Sequence, residues 1–124
     1  MNSHNDRKEL IWLADEIKSP PFFQSVRIEV GFLLEQLQAG ELPSMPMSKP
    51  MASIGDRCHE LRVNDLKNNK HWRVIYRIDD DAIVILEVFS KVTKKTPEKV
   101  IDNCQSRLKR YDRLLLPSRF KTID

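Results

Sequence analysis

Three strand-length segments follow one another in the middle of the chain, at 57–64, 71–79 and 82–91. Successive side chains of an extended chain point to opposite faces. Leu61 and Val63 therefore oppose Glu60 and Arg62, while Trp72, Val74, Tyr76 and Ile78 oppose Arg73 and Arg77. Only a tight acidic turn around Asp80 separates the second and third segments, so they read as an antiparallel hairpin. In the third, Ile83, Ile85, Glu87, Phe89 and Lys91 alternate with Val84, Leu86, Val88 and Ser90. Aligning the faces by their charges gathers Glu60, Arg62, Arg73, Arg77, Glu87 and Lys91 on one side, with isoleucines and Phe89 among them.

The flanking segments supply the cover for the other side. The run "ELIWLA" has strand length, and Phe22, Val26, Val30, Leu33 and Leu37 then recur at helical spacing. Ser19 fits the N-cap of that helix, Pro20 its first turn and Gly40 its left-handed C-terminal cap. Prolines 43, 46 and 50 exclude a regular helix or a central strand from "ELPSMPMSKPMASIG", which reads as a loop laid on the core by Leu42, Met45, Met47 and Met51. Near the end, Thr96 suits an N-cap, Pro97 a first helical position and Glu98 the positive end of a helix dipole. Val100, Ile101, Cys104, Leu108 and Tyr111 form that helix's apolar stripe.

The order is β-α-loop-β-β-β-α, an α+β fold: a small, mostly antiparallel sheet with helices packed on one face and the other left open. At 124 residues the chain is sized for a single domain, 1–124. Hydrophobic residues at 40% and charged residues at 31% exclude a disordered or fibrous chain. No apolar run approaches a membrane span and the start lacks a secretory signal, so the cytoplasm is the expected location. Cys58 and Cys104 form no C-x-x-C pair and no metal-ligand spacing with the histidines, which leaves them as reduced packing residues and implies no metal and no cofactor.

The net charge of +3 is unevenly spread: residues 91–124 hold 10 Lys and Arg against 4 Asp and Glu, whereas residues 1–50 hold 5 against 7. Clustered cations greet a polyanion. On the open face four cations stand against two acids, and "KVTKK" adds Lys94 and Lys95 at the rim. This reads as a phosphate-binding cleft where a nucleic-acid backbone crosses a sheet. Arg73, Lys70, Lys94, Lys109 and Arg110 are its candidate RNA contacts. The plainer alternative is a solvated lattice of cross-strand ion pairs, each of little energetic consequence.

The succession "ELRV", "WRVIYRI" and "AIVILEVFSKVTKKTPEKVI" before an amphipathic helix resembles the RelE superfamily of bacterial toxins, closest to its HigB-type branch with phage-derived toxin-like proteins. The likeness spans residues 9–112 and is sharpest over 60–101. It implies a toxin of a type II toxin–antitoxin system: a metal-free, ribosome-dependent mRNA endonuclease, held in a hetero-oligomer by an antitoxin that often carries a helix-turn-helix domain. By position Arg62 and Arg77 match the family's phosphate-clamping arginines, and Lys91, Lys94 and Lys95 its basic segment, with Lys91 or Lys95 near the leaving group. A lysine of lowered pKa or Glu60 is left as the base, though Glu60 equally suits orienting Arg73 or Arg77. The same fold also hosts toxins that bind DNA gyrase, and inactive toxin-like binding modules.

Overall fold

The computed structural model describes residues 7–13, 24–44 and 47–121. Among the described residues seven elements appear in chain order: β1 (Glu9–Trp12), α1 (Gln24–Gln38), β2 (Ser48–Pro50), β3 (Cys58–Asp65), β4 (Lys70–Ile78), β5 (Ala82–Ser90) and α2 (Glu98–Lys121). The strands form one sheet in the order β1-β5-β4-β3-β2. Only the β1–β5 pair is parallel; the other three are antiparallel. The fold is α+β, as the sequence patterning indicates. No described helix is long and apolar enough to cross a membrane.

Each expected strand is present, and one more joins them. β2 is three residues long, at the sheet edge, and ends on Pro50. A proline is tolerated there because an edge strand can leave one ladder position unpaired. Of the side chains expected to anchor this loop, Met51 is buried with Ile54, whereas Leu42 and Met47 are exposed, and Met45 lies outside the described residues. The helix-start expectations at Ser19, Pro20 and Phe22 also fall outside them. Gly40 does close α1: at φ +87° it lets its own N–H reach the Leu37 carbonyl at 3.0 Å and that of Glu41 the Gln36 carbonyl at 2.8 Å.

The helix packing differs from expectation, because α1 and α2 cover opposite faces of the sheet. Val26, Val30, Leu33, Leu34 and Leu37 of α1 pack with Leu61, Val63, Val74, Tyr76, Ile83 and Ile85. Cys104 and Leu108 of α2 pack with Ile75, Val84 and Leu86 on the reverse side, joined by Val100, Ile101 and Tyr111. β5 requires two covers, since Ala82 to Leu86 are each no more than 2% exposed. A strand buried on both faces reads as an unbroken apolar run, which "AIVIL" is.

β5 also departs from strict alternation. Ile75 pairs with Glu87 but Tyr76 with Ile85, leaving Leu86 as the extra residue of a bulge. Past it the faces exchange: Ile83 and Ile85 point to α1, whereas Glu87 and Phe89 share the α2 side with Glu60, Arg62, Arg73 and Arg77. The isoleucines are therefore not among the charges. Arg107 of α2 meets the irregularity, donating to the Leu86 carbonyl at 2.6 Å and pairing with Glu87 at 2.5 Å.

Candidate phosphate-binding groove

α2 roofs only part of its face. At the other end the β3–β4 ladder sets Arg62 directly opposite Arg73, and the chain leaving β5 brings up Lys91, whose N–H binds the His71 carbonyl at 2.8 Å. The β3–β4 turn is shaped by Asn69 in the left-handed region (φ 51°) and by Asp65, which accepts from the Asn68 backbone at 3.2 Å and its side chain at 2.9 Å. That turn delivers Lys70 and His71. Arg62, Lys70, His71, Arg73, Lys91 and Lys94 thus line one open groove of about 580 Å³, with Asn69, Ser90, Val92 and Thr93 completing the wall. No carboxylate lines it among the described residues.

The acid of this cluster lies beneath. Glu60 is 1% exposed, its carboxylate 3.7 Å from Arg73 Nε and 3.9 Å from Arg62 Nε. Lys49 of β2 stands across the ladder from it. Burial first, then Arg62, pull the Arg73 guanidinium below its ordinary range against the opposing effect of Glu60. Lys91 is likewise lowered, first by burial, with Glu60 resisting and Arg73, Arg62 and Lys49 adding to the fall. The groove is thus short of negative charge.

Arg77 does not belong to this group. It stands four residues along β4 from Arg73, roughly 13 Å away, and is 6% exposed. Asp79 accepts from its Nε at 2.7 Å and its Nη2 at 2.9 Å, while Asp112 of α2 accepts from Nη1 at 2.9 Å and Nη2 at 2.8 Å. Asp112 foremost, then Asp79, hold the guanidinium above its ordinary range against burial. The expectation that Arg62 and Arg77 clamp one phosphate is therefore corrected: four of Arg77's five donors already serve two carboxylates.

The remaining candidates divide similarly. Lys94 lines the groove but Lys95, exposed on the same loop, does not. Lys109 borders a separate 650 Å³ groove beside Arg77 and Asp112, and Arg110 a 150 Å³ hollow with Leu13, Tyr111 and Leu114. Tyr111 lies under Arg77, 6.0 Å from its guanidinium carbon, not at the cationic groove. His59 stacks on buried Tyr76 on the α1 side. Among the described residues no group of three or more His, Cys, Asp or Glu could hold a metal ion.

The family described as Phage derived protein Gp49-like matches residues 15–109, most of the chain and all of the groove. The chain belongs to this family. Gp49-like proteins are a phage-derived, RelE-like and toxin-like group. None of the curated proteins compared matches the chain.

Two features of this Gp49-like groove escape sequence reasoning. Lys49 sits in a proline-rich stretch without strand periodicity, so nothing local signals its place opposite Glu60. Thr96 reads as a helix cap, yet the Pro97 carbonyl accepts from Val100 and Ile101 at 3.0 and 3.2 Å, and the Thr96 hydroxyl donates to Glu60 Oε2 at 3.3 Å.

Proposed function

We propose that this chain is the toxin of a type II toxin–antitoxin pair, of the HigB type within the RelE superfamily, and that it cuts mRNA on the translating ribosome with its own side chains. The observation that carries this reading is the cross-strand pairing of Arg62 with Arg73 in a groove shared with Lys70, Lys91 and Lys94. Like charges directly opposite one another on a ladder are destabilising. Glu60 beneath them supplies one negative charge for two guanidinium groups, which leaves a cationic surplus for a bound anion, and two guanidinium forks match the oxygens of one phosphate.

The ribose 2′-hydroxyl attacks the adjacent phosphorus, so a P–O2′ bond forms as the P–O5′ bond breaks. The hydroxyl proton passes to the neutral amine of Lys91. Lys94, on the same groove wall, gives a proton to the departing 5′-oxygen. Arg62 and Arg73 hold the non-bridging oxygens as negative charge accumulates on them. The products are a 2′,3′-cyclic phosphate and a 5′-hydroxyl end. Lys109 and Arg110, away from the groove, serve contacts to ribosomal RNA, so replacing them lowers the salt dependence of binding. A cognate antitoxin is the partner that holds the activity in check.

The test is to map cleavage of a translated mRNA in a reconstituted system, with and without ribosomes. Cyclic-phosphate ends that appear only with ribosomes are expected. Arg62→Ala or Arg73→Ala should slow cutting about a hundredfold or more, and the Arg→Lys variants should restore part of it because charge remains without the planar fork. Intact mRNA, with an early DNA-damage response in expressing cells, would assign the chain to gyrase binding instead.

A further inference from the structure

We infer that Glu60 is a positioning residue, not the proton acceptor of the groove: its buried carboxylate is the shared counter-ion that keeps Arg62 and Arg73 side by side and, through Thr96, ties them to the loop carrying Lys91 and Lys94. The inference rests on the nuclease reading for its kinetic consequence alone.

Three observations carry it. First, Glu60 is 1% exposed and does not line the groove; a general base must come within hydrogen-bond reach of the proton it takes. Second, it stands almost midway between the two guanidinium groups, 3.7 Å from one Nε and 3.9 Å from the other. That is the position of an ion shared by two like charges, attracted about equally to both. Arg73 is otherwise fixed at its far end, where Nη1 donates to the Trp72 carbonyl at 2.9 Å and lies 3.5 Å from Asn64 Oδ1. Its Nε is buried without a hydrogen-bond acceptor, so the field of Glu60 governs that end. Third, the Thr96 hydroxyl is turned away from the cap and toward Oε2 at 3.3 Å, joining the carboxylate to the segment between β5 and α2.

A charge in that place also acts on the groove's titration. Lys91 faces Lys49 from β2, Glu60 and Arg62 from β3 and Arg73 from β4, with Lys94 and Lys70 on the groove wall. Glu60 alone among these favours the charged amine.

The experiment uses the full chain with Glu60→Gln and Thr96→Val. Hydrogen exchange of the Arg73 Nε–H and titration of the Lys91 amine are followed by NMR, and the pH–rate profile of mRNA cutting is measured alongside. Glu60→Gln should speed Arg73 exchange about tenfold and move both the Lys91 titration and the rising limb of the rate profile to lower pH. Thr96→Val, which keeps the charge, should move exchange in the same direction by a smaller factor and serves if Glu60→Gln does not fold. Loss of the rising limb in Glu60→Gln, with Arg73 exchange unchanged, would make Glu60 the base and overturn the inference. So would unchanged exchange and Lys91 titration in both variants. A wild-type chain that cuts no RNA counts against the nuclease reading, and the two NMR measurements still decide the role of Glu60.

Discussion

Arg73 and Arg77 stand on one face of one strand, yet their surroundings give them different work. Arg77 is held by Asp79 and Asp112 and joins β4 to α2, so Arg77→Ala leaves the buried Asp79 with only the exposed Arg57, 3.6 Å away, as a cation partner among the described residues. The expected loss is about 3–5 kcal/mol of stability, read as a lowered denaturant midpoint, with cutting per folded molecule nearly unchanged. Arg73→Ala, which leaves the buried Glu60 with Arg62 alone as an ion-pair partner among the described residues, should lose stability and cutting together. Lys91 gives a second prediction at this scale. In the mechanism proposed above only its neutral form accepts a proton, so cutting should rise with pH up to a value below the ordinary 10.5, since burial and the cations Arg73, Arg62 and Lys49 depress it. Lys91→Arg, charged at every working pH, should remove that rise along with most of the rate.

Among the elements, the bulge in β5 explains both what the sequence discloses and what it conceals. Strand positions, the α1 and α2 stripes and the Gly40 cap are legible because each writes a local period or a local backbone requirement into the chain. The bulge leaves no such trace: both neighbours of Leu86 are nonpolar or face a covered side, so shifting the register by one residue does not alter the look of the run. Charge alternation likewise points to Arg62, Arg73, Lys91 and Lys94, which line one groove, but it cannot separate Arg77 from them, because Asp112 arrives from a distant helix. The β2 edge is too short and too proline-rich to register. Where the bulge frees the Leu86 carbonyl from regular pairing, Arg107 takes it. Arg107→Ala should therefore cost about 1–3 kcal/mol, detected by chemical denaturation and by faster amide exchange around residues 84–88.

At the scale of the whole molecule, two cores share one sheet, and only the α2 core holds thiols. Cys58 and Cys104 are free and buried. Burial pushes the first from 9.0 up to about 11 and the second up to about 12. Their contribution to stability is full below pH 9, where both states are protonated. Above it the unfolded chain releases protons first, so stability falls as pH climbs toward the folded values. Cys58→Ala with Cys104→Ala should lower stability at pH 7 yet flatten that alkaline decline, as thermal melts from pH 7 to 10.5 can show.

The one parallel pairing in the sheet joins Glu9 to Ala82 and Trp12 to Ile85. β1 thus finds its ladder partner only after β5 has been made, and until then the apolar stripe of α1 has no finished surface to cover it. Closing so long a loop is entropically costly and slow compared with forming the two hairpins. During synthesis β1 and the apolar stripe of α1 must therefore wait for β5 to leave the ribosome. Lys94 and Thr96 emerge later still, so the cationic groove is complete only after the whole sheet has been made.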